Sequence, residues 1–197
     1  FFSYDSIHFI HIAINDYTHI KNLAFFPLFP FLIRSIASII QTYFDFQMKI
    51  TSYLLSGFMI SNAFSLINTV LLYVFLSKII KNDNFHKENT IKLSILLFLY
   101  DPGSIFNTSI YTESIFIFFH LILLLYLINN RIDNLLSLNG IIGLSTPICL
   151  SISLRSNSIL LVIYALVPLL GLVIKENKEC LIENENDIES INNNSHK

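Results

Sequence analysis

Two long runs of the sequence contain almost no charge, and they limit the chain to one broad class of fold. Ser52–Ile80 and Ser114–Ile128 hold no acidic side chain, and Lys78 is the one basic residue in either run. A run of about 18 or more mostly apolar residues is typical of a membrane-spanning helix. Charged residues make up 13% of the chain, about half the share found in soluble domains. The sequence predicts an integral membrane protein and excludes a soluble enzyme, a disordered chain and a disulfide scaffold.

The apolar runs after residue 50 predict a bundle of four or five transmembrane helices. Their expected bounds are Thr51–Ser77, Ile91–Ile110, Ser114–Ile128, Leu135–Leu154 and Ser158–Ile174. The second helix is expected to break near Asp101–Pro102–Gly103, because proline removes a backbone hydrogen bond from a helix. The predicted fold class is therefore all-α, with residues 51–174 forming the transmembrane bundle.

Residues 1–50 are apolar but carry charges and prolines that argue against clean membrane spans. Phe31–Asp45 has a helical pattern with one polar face, which consists of Arg34, Ser35, Ser38, Gln41, Thr42 and Asp45. Such an amphipathic helix is better suited to lie in the membrane interface than to cross the bilayer. Ser6–Ile14 is expected to form a second short helix, with His8 and His11 one turn apart. Residues 1–50 are thus predicted to be a loop with interfacial helices.

The end of the chain differs in composition from the rest. Residues 175–197 are acidic, rich in asparagine and free of aromatic side chains, so a disordered cytosolic tail or loop is expected there. No basic cluster indicates nucleic acid as a partner. Cys149 and Cys180 are expected to be unpaired. Since the chain opens with Phe1 and shows no signal peptide, we expect a fragment of a longer protein.

The distribution of basic residues predicts which loops face the cytosol. The loop 78–92, the turn 129–134 and the start of the tail carry seven lysine and arginine residues, against four on the opposite side. By the positive-inside rule, the opposite side then holds residues 1–50 and the turns Tyr111–Glu113 and Arg155–Asn157.

Polar residues near helix ends on that opposite side are the candidates for a functional site. They are Asp5, His8, Tyr111, Glu113, Arg155 and Asn157. A carboxylate there can deprotonate a hydroxyl group, and an arginine can hold a phosphate through two hydrogen bonds. The alternative is that Glu113 and Arg155 are ordinary interfacial residues and that Asp5 is a helix cap. Metal binding by His8 and His11 is disfavoured because no third ligand is apparent.

Four sequence blocks together resemble a known family. They are YDSIHFIHIA at 4–13, AFFPLFP at 24–30, DPGSIFNTSIYTESIF at 101–116 and RSN at 155–157. Their residues and order resemble the PIG-V family of GPI-anchor mannosyltransferases, and the resemblance covers roughly residues 2–174. Tyr4 stands where the family usually has tryptophan, Asp101 where it has a small or amide residue, and Ser158 where it has glycine. The span expected before Asp5 and the later spans of the family are absent from this sequence.

The resemblance implies a GT-C-type multi-span membrane enzyme of the endoplasmic reticulum, with interfacial helices in the first luminal loop and a luminal active site. The implied donor substrate is dolichyl-phosphate-mannose, and the implied acceptor is a GPI lipid precursor that receives its second, α1,6-linked mannose. No cofactor or metal is expected. A small membrane subunit is a possible partner. The fragment by itself is not expected to suffice for activity.

The resemblance assigns a role to Asp5, and the chemistry of the other candidate residues suggests theirs. Asp5 matches the catalytic acidic residue of the first luminal loop, and we expect it to be the base. By its charge, Arg155 is expected to stabilise the leaving phosphate. His8, Tyr111, Glu113 and Asn157 are expected to contact substrate. The alternatives are another dolichol-dependent GT-C transferase or, less favoured, a non-catalytic transporter or scaffold subunit; transporters should show paired broken helices.

Overall fold

The structure is a computed structural model that describes residues 4–44, 49–80, 84–130, 132–135, 137–163, 166 and 170–171. These residues are almost entirely helical, with no strand among them. The α-helices are α1 (Tyr4–Asn15), α2 (Leu28–Phe44), α3 (Lys49–Ile79), α4 (Asn84–Tyr100), α5 (Ser104–Thr108), α6 (Glu113–Asn129), α7 (Ile132–Leu135) and α8 (Leu138–Ile152). Two short 3₁₀ helices cover Ile20–Ala24 and Ser156–Leu161.

Helix α3 is the centre of the bundle, and α2, α4, α5 and α6 all pack against it. Polar side chains fix some of these contacts: the Nδ2 of Asn68, which is fully buried, donates to the Ser114 carbonyl of α6 at 2.7 Å. Within the described part of the chain, Ile50–Ile79 of α3 is the one helix whose length and composition suit a membrane crossing. Helices α6 and α8 are apolar but shorter, so a multi-span bundle stays a prediction.

Three of the predicted helices after residue 50 agree with the structure, whereas the prediction of a loop over 78–92 is wrong, because α4 already begins at Asn84. Thr51–Ser77 lies inside α3, Ser114–Ile128 inside α6, and most of Leu135–Leu154 inside α8. The expected break of Ile91–Ile110 is confirmed, because α4 ends at Tyr100 and α5 begins at Ser104. The last predicted helix, Ser158–Ile174, begins as a 3₁₀ helix, and much of it lies outside the described residues. So does the predicted tail, 175–197.

Helix α2 places its apolar face against protein. Phe29, Ile33 and Ala37 are fully buried and belong to one core that also contains residues of α1, α3 and α6. Phe31 and Ile39 remain exposed. The amphipathic helix predicted from residue 31 is confirmed and starts three residues earlier, whereas its place in the membrane interface stays a prediction. Asp45, assigned to its polar face, lies outside the described residues.

Arg34 of α2 binds the carboxyl-terminal end of α1. Its Nε donates to the Ala13 carbonyl at 2.8 Å, and its Nη2 donates to the Ile12 carbonyl at 3.0 Å and to the Asp16 carboxylate at 2.5 Å. The last carbonyls of a helix have no partner within that helix, and a cation there also complements the helix dipole. Asp16 follows α1 with a positive φ of 61°, the left-handed conformation in which helices often end.

We expect Arg34→Met to lower the thermal stability of the protein. The substitution leaves the α1 carbonyls without their donor, a loss of about 1–3 kcal/mol when such groups are buried. Differential scanning fluorimetry in detergent measures the shift in Tm. Arg34→Lys is the matched control and should have an intermediate Tm, because lysine keeps the charge but lacks the planar fork of donors. An unchanged Tm in Arg34→Met would contradict this capping role.

Candidate active site

Four segments of the sequence meet at one end of the bundle. They are the start of α1, the stretch before α2, the turn that leads into α6, and the turn that follows α8. The Leu28 backbone N–H donates to the Ser153 carbonyl at 3.2 Å, which joins the start of α2 to the end of α8. Between the four segments lies a cavity of about 170 Å³. Its lining residues are Asp5, Phe9, Ala24, Phe25, Phe26, Tyr111, Thr112, Leu154, Arg155, Ser156 and Asn157.

Phe9 packs the aromatic wall of this cavity. Its ring, only 4% exposed, meets Phe25, Phe29 and Tyr111 edge to face at centroid distances of 5.1, 5.0 and 6.3 Å. Edge-to-face contacts between aromatic rings are favourable beyond the area they bury. Because Phe9 lies four residues after Asp5 on α1, the same helical face carries both the core aromatic ring and the carboxylate.

Tyr111 faces Asp5 across the cavity. Partial burial raises the pKa of the Tyr111 phenol, and the nearby Asp5 carboxylate raises it further. A protonated hydroxyl is a donor that suits a carboxylate beside it. The structure therefore directs the Tyr111 hydroxyl, assigned from the sequence to substrate, towards the carboxylate.

Arg155 forms an ion pair with Glu113 that connects the turn after α8 to the start of α6. Nη1 of Arg155 donates to Oε2 of Glu113, and the guanidinium lies over the Tyr111 ring, 5.9 Å from its centroid. Glu113 is the first residue of α6, where a negative charge is favourable to the helix dipole. Both side chains are 31% exposed. Arg155 thus keeps contact with the solvent of the cavity while Glu113 fixes its position.

The six residues proposed from the sequence do not all contact the cavity. Asp5, Tyr111, Arg155 and Asn157 line it. Glu113 reaches it through Arg155 and lines a neighbouring cavity instead. His8 lies behind the wall, with its ring stacked on Phe25 at 4.9 Å.

Several lining residues were not proposed from the sequence. Ala24, Phe25 and Phe26 come from the AFFPLFP block, which contributed to the family resemblance but received no role of its own. This block places several aromatic residues between the two helices predicted within residues 1–50, and that pattern could have indicated a lining role. Thr112 and Ser156 are neighbours of the proposed residues and carry no separate pattern.

His8 and His11, the pair with helical spacing, both turn towards Asn22. His8 Nδ1 lies 3.4 Å from Asn22 Oδ1, and Asn22 Nδ2 lies 3.2 Å from His11 Nδ1. In the described parts of the chain, no three histidine, cysteine or acidic side chains come close enough to hold a metal ion.

Comparison with known proteins places the sequence of this chain in a family. The family model described as "Mannosyltransferase (PIG-V)" matches residues 1–173. A protein named GPI mannosyltransferase 2 from Drosophila pseudoobscura pseudoobscura is 30% identical over 115 residues, which are 58% of this chain and 24% of that protein. The protein of the same name from Drosophila melanogaster is 28% identical over 122 residues, 62% of this chain and 26% of that protein.

The chain spans about a quarter of the length of the curated relatives it matches. No solved structure gives a significant match. The family match covers all four segments that build the cavity, including Asp5, Tyr111 and Arg155. The chain therefore belongs to the mannosyltransferase (PIG-V) family of glycosyltransferases.

Proposed function

We propose that this chain holds the catalytic site of a GPI mannosyltransferase that adds the second, α1,6-linked mannose to the GPI precursor. The donor is dolichyl-phosphate-mannose, and the reaction takes place on the luminal side of the endoplasmic reticulum membrane. Family membership and the names of the two Drosophila relatives support this reading. The observation that carries it is that one cavity is lined by both the Asp5 carboxylate and the Arg155 guanidinium.

These two groups fit a single displacement with inversion at the anomeric carbon. The acceptor hydroxyl forms the new glycosidic bond, and its proton passes to Asp5 acting as general base. The bond from the anomeric carbon to the phosphate oxygen breaks, and dolichyl phosphate leaves with the bonding electrons. The Tyr111 hydroxyl, which lies near the Asp5 carboxylate, is assigned to orient it. No step requires a metal ion or a cofactor.

Arg155 acts on the leaving group. Negative charge grows on the phosphate oxygen as the bond breaks, and a positioned guanidinium stabilises that charge. The pair with Glu113 uses Nη1, so Nε and Nη2 are the donors assigned to the phosphate. Glu113 is then a positioning residue, and Asn157 at the exposed rim is assigned to sugar hydroxyls.

The lipid parts of both substrates are expected to approach from the membrane. Exposed apolar side chains on α2 and α3, among them Phe31, Ile39, Phe58 and Leu66, supply a surface for acyl and polyprenyl chains. Because the membrane concentrates both lipids, transfer does not depend on a nucleotide-sugar site.

Cells that lack the second GPI mannosyltransferase provide the test. The protein, expressed in these cells as its gene encodes it, should restore GPI-anchored proteins at the cell surface and consume the accumulated lipid with a single mannose. Flow cytometry and mass spectrometry of the lipids measure the two results. Normal expression without restoration, or consumption of a lipid with a different number of mannoses, would contradict the proposed step.

A further inference from the structure

Asn22 is a buried polar residue near the cavity that the proposed mechanism does not use. It is 2% exposed and lies in the 3₁₀ helix Ile20–Ala24, between α1 and α2. Its backbone N–H donates to the His19 carbonyl at 2.9 Å, and its own carbonyl accepts from the Phe25 N–H at 3.0 Å. The main chain of Asn22 is therefore tied directly to the main chain of Phe25, which lines the cavity.

The side chain of Asn22 bridges two histidines of α1. The His8 Nδ1–H donates to Asn22 Oδ1 at 3.4 Å, and Asn22 Nδ2 donates to His11 Nδ1 at 3.2 Å. A buried amide needs such partners, because an unpaired buried polar group costs about 1–3 kcal/mol. These two hydrogen bonds fix the position of the segment before Phe25 relative to α1, the helix that carries Asp5.

The position of Phe25 is fixed by contacts of its ring as well as by the hydrogen bond of its backbone to Asn22. One face of the ring stacks on His8 at a centroid distance of 4.9 Å and an interplanar angle of 18°. Phe9 meets the ring at 78°. Phe25 also lines the cavity together with Asp5 and Arg155. Aromatic side chains with a few convergent polar groups are typical of small-ligand sites.

We propose that Phe25 is a binding platform for the transferred sugar and that Asn22, through its bridge to His8 and His11, is the positioning residue that sets this platform opposite Asp5. The inference rests on the proposed function, since it names how the same cavity holds its donor sugar. Asn22 itself does not line the cavity; it acts through Phe25. Removing the bridge should therefore weaken donor binding more than the chemical step.

Steady-state mannose transfer in membranes, with dolichyl-phosphate-mannose varied, tests the proposal. Asn22→Leu keeps the branched shape of the side chain and removes both hydrogen bonds. We expect it to raise the KM for the donor about tenfold, the effect of losing about 1.4 kcal/mol, and to leave kcat within about twofold of wild type. Asn22→Asp should stay close to wild type, because a carboxylate accepts from His8 and from the other tautomer of His11.

Which of these two variants has the higher donor KM distinguishes a positioning role of Asn22 from a packing role. If Asn22 only filled space, leucine would be tolerated and the buried charge of Asn22→Asp would be harmful. Phe25→Leu should raise the same KM, and Asn22→Leu should add nothing further in that background, because residues that act through one another are not additive. A wild-type KM in Asn22→Leu, or KM effects that multiply in the double variant, would overturn the proposal.

Two further measurements cover the remaining outcomes. If Asn22→Leu does not fold, His11→Leu removes one end of the bridge and should raise the donor KM about threefold, a part of the energy of one buried hydrogen bond. If the wild-type protein transfers no mannose, the proposed function fails, and hydrogen–deuterium exchange then decides on the bridge. Faster exchange over residues 19–25 in Asn22→Leu but not in Asn22→Asp supports it, and equal exchange in all three proteins refutes it.

Discussion

Asp5→Asn is expected to reduce the rate of mannose transfer by about 10²- to 10⁴-fold, the contribution typical of a general base. The amide has the shape of the carboxylate, and its oxygen can still accept from a neighbouring hydroxyl, so the cavity should keep its form. The asparagine amide cannot take up the proton of the acceptor hydroxyl. The loss should appear in kcat, with the KM for the donor little changed. Transfer of labelled mannose in membranes, normalised to protein amount, measures both constants.

Asp16→Asn is the matched control for this variant. Asp16 follows the same helix at its other end, and its exposed side chain pairs with Arg34. Asparagine accepts the left-handed conformation at this position as readily as aspartate, and an exposed ion pair contributes about 0–1 kcal/mol. We therefore expect this control to retain near wild-type transfer. Half or more of wild-type activity in Asp5→Asn would show that Asp5 is not the base.

Arg155→Gln is expected to lower kcat by about 10²- to 10³-fold, the cost of removing one donor that stabilises developing charge. The effect should exceed that of Glu113→Gln, for which we expect about tenfold, because the glutamate acts by holding the guanidinium. Arg155→Lys should fall between wild type and Arg155→Gln, since lysine keeps the charge without the fork geometry. The three variants are compared in the same transfer assay with Tm measured in parallel.

The Glu113–Arg155 pair also joins α6 to the turn after α8, so the comparison with Tm is decisive. If Arg155→Gln lowered Tm and left kcat per folded protein unchanged, the pair would be a structural link between these segments and would have no catalytic role. If kcat falls while Tm stays within a few degrees of wild type, the charge acts on the reaction.

The helices themselves could be predicted because their signals are local. The uncharged run that forms α3 fixes a helix by composition alone, and Pro102 explains why α4 and α5 are separate. Arg34 shows where local reasoning fails. Its position on the polar face of α2 was predicted correctly, but its partners are carbonyls about 21 residues away in α1, and no periodicity within α2 carries information about them.

In the candidate site, too, some residues could be proposed from the sequence and others could not. Asp5, Tyr111, Arg155 and Asn157 were proposed from helix ends, loop charge and family motifs, and the fold brings all four to one cavity. Asn22 has no pattern in the sequence, because a lone asparagine in a loop of this kind is typical of an exposed turn. Its burial and its bridge between His8 and His11 depend on how the 3₁₀ helix packs against α1.

The sequence by itself therefore determined the class of protein, the helices with their main break, and the residue types from which a site could be built. These features depend on composition and on spacing within one helix, and both can be read along the chain. The tertiary structure decided the partners: Tyr111 with Asp5, Glu113 with Arg155, and Asn22 with two histidines. Each of these contacts joins different segments, and its geometry exists only after the helices have packed around α3.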